Sequence, residues 1–96
     1  MVMEQAQTLR LFRIFEERVR SLTDDHYCLR VLTRLSNLWI AKLHHMSNGN
    51  DIVIKAYPLE NRIVQYTNKI KTHDQVLGEP SQEDTEALLN YLFSRP

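Results

Sequence analysis

The sequence has few of the residues that mark secreted, membrane-spanning or nucleotide-binding proteins. Cys28 is the single cysteine among 96 residues, so no disulfide can form within the chain, whereas small secreted domains usually need several. Two glycines are too few for a phosphate-binding loop or a dinucleotide fingerprint. No apolar run approaches the length of a membrane span, and the N-terminus has no basic region followed by a long apolar stretch. These absences predict a cytoplasmic protein that does not bind membranes.

The sequence also lacks an excess of charge of either sign. Twelve basic residues balance twelve acidic ones, which gives a formal net charge of zero, so no polyanionic partner is indicated by the overall charge. Apolar residues make up 43% of the chain and charged residues 25%, as is ordinary for a folded globular protein. We expect residues 1–96 to form one domain.

The sequence contains no arrangement typical of catalysis or metal binding. Cys28 belongs to an apolar pattern rather than to the electropositive setting that activates a thiol. His26 and Cys28 are two residues apart and His44 and His45 are adjacent, so neither pair would converge on one metal ion if it lay on a helix. We therefore predict no catalytic residue, no cofactor and no metal, and expect that the protein is not an enzyme.

Turn-forming residues divide the chain into four segments. They accumulate at residues 23–25, 47–51 and 78–81. Gly49 and Gly78 each follow a helical pattern directly, which is typical of the left-handed residue after a helix end. The four segments are therefore predicted to be helices.

The first two segments have broad apolar faces at helical spacing. A first helix is predicted from about Glu4 to Leu22, and a second from Thr23 or Asp24 to His45 or Met46. The apolar arc of the first comprises Leu11, Phe12, Ile14, Phe15, Val19 and Leu22. The stripe of the second comprises Cys28, Val31, Leu32, Leu35, Leu38, Trp39, Leu43 and Met46.

The third segment allows two interpretations. As a helix, its apolar residues recur at alternating steps of four and three, interrupted by Pro58, and the stripe comprises Ile52, Ala56, Leu59, Ile63, Tyr66, Ile70 and Leu77. As strands, residues 52–57 are rich in β-branched side chains, and Asn48-Gly49 would close a hairpin against residues 39–46. We favour the helix, because the spacing holds its phase over about five turns.

The last segment has the signals of a helix start. Pro80-Ser81 supplies a cap, and the acidic residues that follow suit the first turn. Its buried face is predicted to comprise Leu88, Leu89, Tyr91, Leu92 and Phe93. The predicted fold is all-α, an antiparallel bundle of three or four helices; the alternative is α+β, with a hairpin around residues 39–57.

Several side chains on these faces are candidates for binding a partner protein. Arg18 and Lys42 are charged residues that project into apolar arcs, and Arg18 there requires a carboxylate, a carbonyl or a partner. Trp39 lies near the centre of its stripe, where it would either pack in the core or anchor an interface. Phe12 and Phe15 belong to an arc wider than one neighbouring helix covers.

By elimination, the sequence predicts a small protein–protein interaction module, acting as a regulator, adaptor or assembly subunit through exposed helix faces. Helices of about 30 Å on so short a chain leave flanks exposed, so we also expect a homodimer with one of the first two helices at its interface. The alternative is a nucleic-acid-associated regulator that uses arginines of those helices: Arg10, Arg13, Arg20, Arg30 and Arg34.

Overall fold

The described residues form a five-stranded antiparallel sheet, a long helix that packs on the sheet and a second helix that packs on the first. The computed structural model describes residues 2–78 and 82–94. Its elements are α1 (Val2–Asp24), β1 (Tyr27–Arg34), β2 (Trp39–His45), β3 (Asp51–Tyr57), a 3-10 helix (Pro58–Glu60), β4 (Arg62–Thr67), β5 (Ile70–Val76) and α2 (Gln82–Ser94). Each strand pairs with the next one in sequence, in the order β1-β2-β3-β4-β5. The predicted all-α bundle is therefore wrong.

The first helix is present, and its apolar arc packs on the sheet. Leu11 is fully buried and Phe15 nearly so, and the remaining apolar residues of the arc pack around them: Phe12, Ile14, Val19 and Leu22. The helix continues through Asp24, and His26 then adopts a positive φ of 73°. Residues 23–25 therefore end α1 and turn the chain into a strand, rather than capping a second helix.

The predicted second helix is a β-hairpin. β1 and β2 pair from Tyr27–His45 to Arg34–Trp39, and the Leu35 N–H donates to the Leu38 carbonyl at 2.9 Å across the turn. Val31, Thr33 and Ile40 are β-branched and favour a strand, and the polar pair Ser36-Asn37 lies inside that turn. Strand pairing of these residues prevails over the helical spacing of the leucines.

The predicted third helix is replaced by three strands. In β3 the buried residues Ile52, Ile54 and Ala56 alternate with less buried ones, as a strand packed on one face requires. The hairpin foreseen in the alternative interpretation exists between β2 and β3, where Gly49 has a φ of +73°. Neither glycine ends a helix.

Two further turns break the apolar stripe of residues 52–77. After the 3-10 helix Pro58–Glu60, Asn61 is left-handed, with a φ of 50°. Between β4 and β5, both Asn68 and Lys69 have positive φ, as a two-residue type I′ hairpin turn requires. Asparagine tolerates this conformation better than most residues, so the asparagines mark the turns.

The core lies between α1 and the face of β2, β3 and β4 that α1 covers. Paired residues place large and small side chains in rows, with Trp39 beside Ala56 and Ala56 beside Ile63. The buried apolar cluster comprises Leu11, Phe15, Trp39, Ala41, Leu43, Ile52, Ile54, Ala56, Ile63 and Leu77. Only alternate strand residues enter this core, so the other face of the sheet carries a separate set of side chains.

The last helix is present as α2, and α2 packs against α1. The predicted cap at Pro80-Ser81 lies outside the described residues, as do the side chains of Leu88, Tyr91 and Leu92. Leu89 is 42% exposed and Phe93 85% exposed, so the prediction that these two side chains are buried is wrong.

Candidate functional site

We call the face of the sheet opposite α1 the open face. It carries most of the charged side chains of the strands. The strand register lines up Val31, Lys42, Val53 and Tyr66 in one row across β1 to β4. Lys55 lies in the adjacent row, between Ile40 and Val64. Because side chains alternate between the two faces of a strand, these residues share the face that α1 does not cover.

The open face contains a cleft with a volume of about 690 Å³. Its lining is formed by β1 to β4 and by the β4–β5 turn. The lining side chains that carry charge or aromatic rings are Arg30, Lys42, His44, Asp51, Lys55, Tyr66 and Lys69. Val31 and Val53 supply apolar surface between them. We call this feature the cationic cleft.

The cationic cleft has four cations and one carboxylate. Asp51 is already engaged, because its Oδ1 lies 2.6 Å from Nδ1 of His44. None of the four cations forms an ion pair with a carboxylate in the described part of the chain. They are Arg30, Lys42, Lys55 and Lys69. The cleft therefore favours an anionic ligand.

Local contacts hold the walls of the cleft in place. The ammonium of Lys55 lies over the Tyr66 ring, 5.6 Å from its centroid. The side-chain oxygen of Asn68 accepts a hydrogen bond from the Asp51 N–H at 2.8 Å, and the Asn68 N–H donates to the Asp51 carbonyl at 2.8 Å. The β4–β5 turn, and with it Lys69, is thereby tied to the start of β3.

Beyond the cleft, the open face carries a compact charge network on β4 and β5. Nε of Arg62 donates to Asp74 at 2.7 Å and the Arg62 Nη2 donates to its second oxygen, which also accepts from Lys71 at 3.1 Å. The hydrogen bond from Arg62, and after it that from Lys71, hold the pKa of the Asp74 carboxyl well below its ordinary value. The same ion pair raises the pKa of Arg62.

This network predicts a pH-dependent contribution to stability. A carboxyl group whose pKa is lowered by folding stabilises the protein above its unfolded pKa of about 4, and this contribution is lost as the pH falls below that value. Asp74→Asn should therefore lower the thermal midpoint slightly at pH 7, and the difference from the parent should shrink progressively in acid. Thermal unfolding followed by circular dichroism from pH 7 to pH 2 measures this. A difference that grows in acid would contradict it.

The two edges of the sheet differ in character. β1 is an eight-residue edge strand, and no strand in residues 2–78 or 82–94 pairs with its outer side. Its apolar side chains are exposed, from 38% for Leu29 through 41% for Val31 to 55% for Leu32. The interior of β5, residues 71–75, is polar throughout, as is usual for an edge protected against pairing. β1 is protected less, by Arg30 and Arg34 and by an irregularity in its pairing with β2 between Leu29 and Val31.

The structure brings three of the predicted partner-binding residues together in the core. Trp39 is 5% exposed and packs edge-on against Phe12 and Phe15, with ring centroids 5.6 and 5.9 Å away. The guanidinium of Arg34 covers Phe12 at 4.7 Å. A role of these rings in binding a partner stays a prediction, but each ring already has neighbours in the fold.

The two predicted charged residues lie on opposite sides of the sheet. Arg18, on α1, donates from Nη1 to Oε1 of the buried Gln65 at 3.1 Å, so an amide oxygen supplies the acceptor that its position requires. Lys42 lies exposed on the open face and lines the cationic cleft. Of the five residues predicted to bind a partner protein, Lys42 is the one that lines the candidate site; Arg30, named for the nucleic-acid alternative, lines it as well.

Sequence reasoning named Arg30 only for nucleic-acid binding, and it missed the other two cations of the cleft, Lys55 and Lys69. Lys55 could have been found from the strand interpretation of residues 52–57, because alternation puts Val53 and Lys55 on the face opposite Ile52 and Ile54. No such signal exists for Lys69, whose position depends on the turn after β4.

Comparison of the chain with protein family models, with curated proteins and with solved structures gives no match. None of the helices that the structure describes is both long enough and apolar enough to cross a membrane. Within the described residues, no group of three or more histidine, cysteine, aspartate or glutamate side chains is arranged to hold a metal ion. The β1 edge and the cationic cleft are the two candidate functional features described above.

Proposed function

We propose that this protein is a protein–protein interaction module that binds an extended segment of another protein along the outer edge of β1. The observation that carries the proposal is the unpaired, apolar β1 edge. The eight residues of β1 span about 26 Å, and their outward backbone donors and acceptors are available to an added strand on both sides of the irregularity between Leu29 and Val31. The segment would also cover the exposed side chains of Leu29, Val31 and Leu32.

The fold supports β1, rather than β5, as the binding edge. β1 pairs with β2 along its inner side, while no strand of the described residues pairs with its outer side. In the neighbouring strand β2, Trp39, Ala41 and Leu43 are buried in the core. An added strand would therefore join a preformed sheet, which limits the entropy lost on binding.

We place this binding role in the cytoplasm, with the protein acting as a regulator, adaptor or assembly subunit by binding rather than by catalysis. The support for the compartment is the single cysteine, since Cys28 is exposed and has no cysteine within the chain to pair with. The predicted homodimer stays a prediction. The first two predicted helices no longer suit its interface, because α1 faces the sheet and the second helix does not exist. The exposed Leu89 and Phe93 of α2 are the alternative.

The binding role predicts a specific loss in Leu32→Gln. Peptides that bind the protein are selected from a displayed library of random sequences long enough to pair with all of β1, and their affinities are measured by fluorescence anisotropy. Leu32→Gln removes apolar surface worth about 1 kcal/mol at the edge, so affinity should fall roughly fivefold. Leu59→Gln is the matched control, because Leu59 is 83% exposed on the 3-10 helix away from β1; its affinity should equal that of the parent.

Two results would contradict the proposal. One is equal binding by Leu32→Gln and Leu59→Gln variants of unchanged thermal midpoint. The other is a parent protein that scatters light as a dimer of twice 11.4 kDa while Leu32→Gln is a monomer, because a second copy of the chain would then occupy the β1 edge.

A further inference from the structure

We infer that the segment bound along β1 is acidic, and that its carboxylates bind in the cationic cleft. This inference rests on the proposed function, since it names the chemistry of the partner that the β1 edge would bind. The cleft and the edge are continuous, because Val31 of β1 both belongs to the exposed edge and lines the cleft.

The charges of the cleft are arranged for more than one carboxylate. Lys42 pairs with Val53 and Lys55 with Ile40, so the two lysines are diagonal neighbours on adjacent strands, roughly 7–8 Å apart at their Cα atoms. Like charges so placed repel each other unless an anion lies between them. No carboxylate of the described chain does so, as the ion pairs of that part involve other residues.

The reach of an added strand matches the nearer cations. Strands lie about 4.8 Å apart, so an added strand would run about 10 Å from β2, a gap that a glutamate side chain and the Lys42 side chain span together. Arg30, on β1 itself, is nearer; its Nη2 has only a weak contact with the Met46 sulfur, at 3.7 Å. Lys55 and Lys69 would bind other residues of the partner segment, those that lie outside the stretch paired with β1 and cross the cleft.

The cleft is less suited to a nucleic acid. Single-stranded nucleic acids bind sheet faces by stacking bases on exposed rings, whereas Tyr66 is half-buried and covered by Lys55. Of the arginines suggested for this role, Arg20 pairs with Glu16 at 3.2 Å and Arg34 stacks on Phe12. The net charge of the chain is zero, so the chain as a whole does not attract a phosphate backbone at long range.

The test uses the full chain and the peptides selected for binding. The selected sequences should be enriched in aspartate and glutamate, and replacing these by asparagine and glutamine should weaken binding about tenfold. Lys42→Glu and Lys55→Glu should each weaken peptide binding by about the same factor. Added salt should make this difference from the parent smaller. Arg13→Glu is the matched control, because it changes the net charge equally at an exposed position of α1; it should bind the peptide like the parent.

The outcomes separate this inference from the proposed function. Selected peptides without acidic residues, or peptides whose affinity is unchanged in Lys42→Glu and Lys55→Glu, overturn the acidic partner, while the loss in Leu32→Gln would still support binding at the β1 edge. Tighter binding of single-stranded oligothymidylate than of any selected peptide, lost in the two lysine variants, overturns the inference in favour of nucleic acid. Thermal unfolding of every variant confirms that the protein measured is folded.

Discussion

Ile63→Asp should unfold the protein, whereas Tyr66→Asp should leave it folded. Ile63 is 5% exposed and belongs to the core beneath α1, where removing a carboxylate from water would cost several kcal/mol. The whole domain is expected to be stable by only about 5–15 kcal/mol. Tyr66 lies half-buried on the open face beside Lys55, so an aspartate there exchanges a ring contact for an ion pair.

Chemical denaturation followed by circular dichroism distinguishes the two variants. Ile63 and Tyr66 are three positions apart, a spacing that would place both on one face of a helix but places them on opposite faces of β4. Equal and severe destabilisation by the two substitutions would contradict the strand. A folded Ile63→Asp would contradict the position of the core.

Trp39→Ala should cost about 3–5 kcal/mol of folding free energy, the largest effect expected of any truncation in the core. Trp39 is the only tryptophan of the chain, and it packs edge-on against both Phe12 and Phe15. Removing it leaves a cavity bordered by two aromatic rings and by Arg34, whose guanidinium lies 5.6 Å from the indole. A comparable truncation on the surface should cost well under 1 kcal/mol.

Trp39→Phe serves as the conservative variant, and it also tests whether Trp39 binds a partner. It should keep most of the stability and should bind the selected peptides as the parent does. Retained stability with lost peptide binding would contradict a purely structural role of Trp39. A loss of less than 1 kcal/mol in Trp39→Ala would contradict its placement in the core.

The helices could be predicted from the sequence because each is a long, continuous pattern. The arc from Leu11 to Leu22 holds one phase over three turns, and α1 is found there. The strands could not be recognised in the same way, because each of β3 and β4 contributes only a few alternating residues. Placed end to end, Ile52, Ala56 and Ile63 imitate a helical stripe, although each turn between the strands resets the phase.

What decides these segments is pairing between residues far apart in sequence. Ile54 is buried because Ala41 and Gln65 flank it in the sheet, and no local spacing conveys that. Asn68-Lys69 and Ser36-Asn37 were the local signals available, since polar residues tolerant of turn geometry interrupt an apolar pattern at both places.

The candidate site was predictable only in part, for the same reason. Lys42 stood out as a charge in an apolar pattern, and the structure resolves this by turning it to the open face. Lys55 and Tyr66 did not stand out, because their neighbourhood exists only once β3 and β4 are paired. The exposed edge of β1 is likewise a property of the strand order and not of any motif.

Amide hydrogen exchange on the complex with a selected peptide tests the binding role most directly. If the peptide adds a strand to the sheet, exchange should slow at the outward amides of Tyr27–Arg34 and remain unchanged in the other edge strand, Ile70–Val76, which serves as the internal control. A bound peptide that leaves exchange in β1 unchanged, or that protects β5 instead, would contradict binding along the β1 edge.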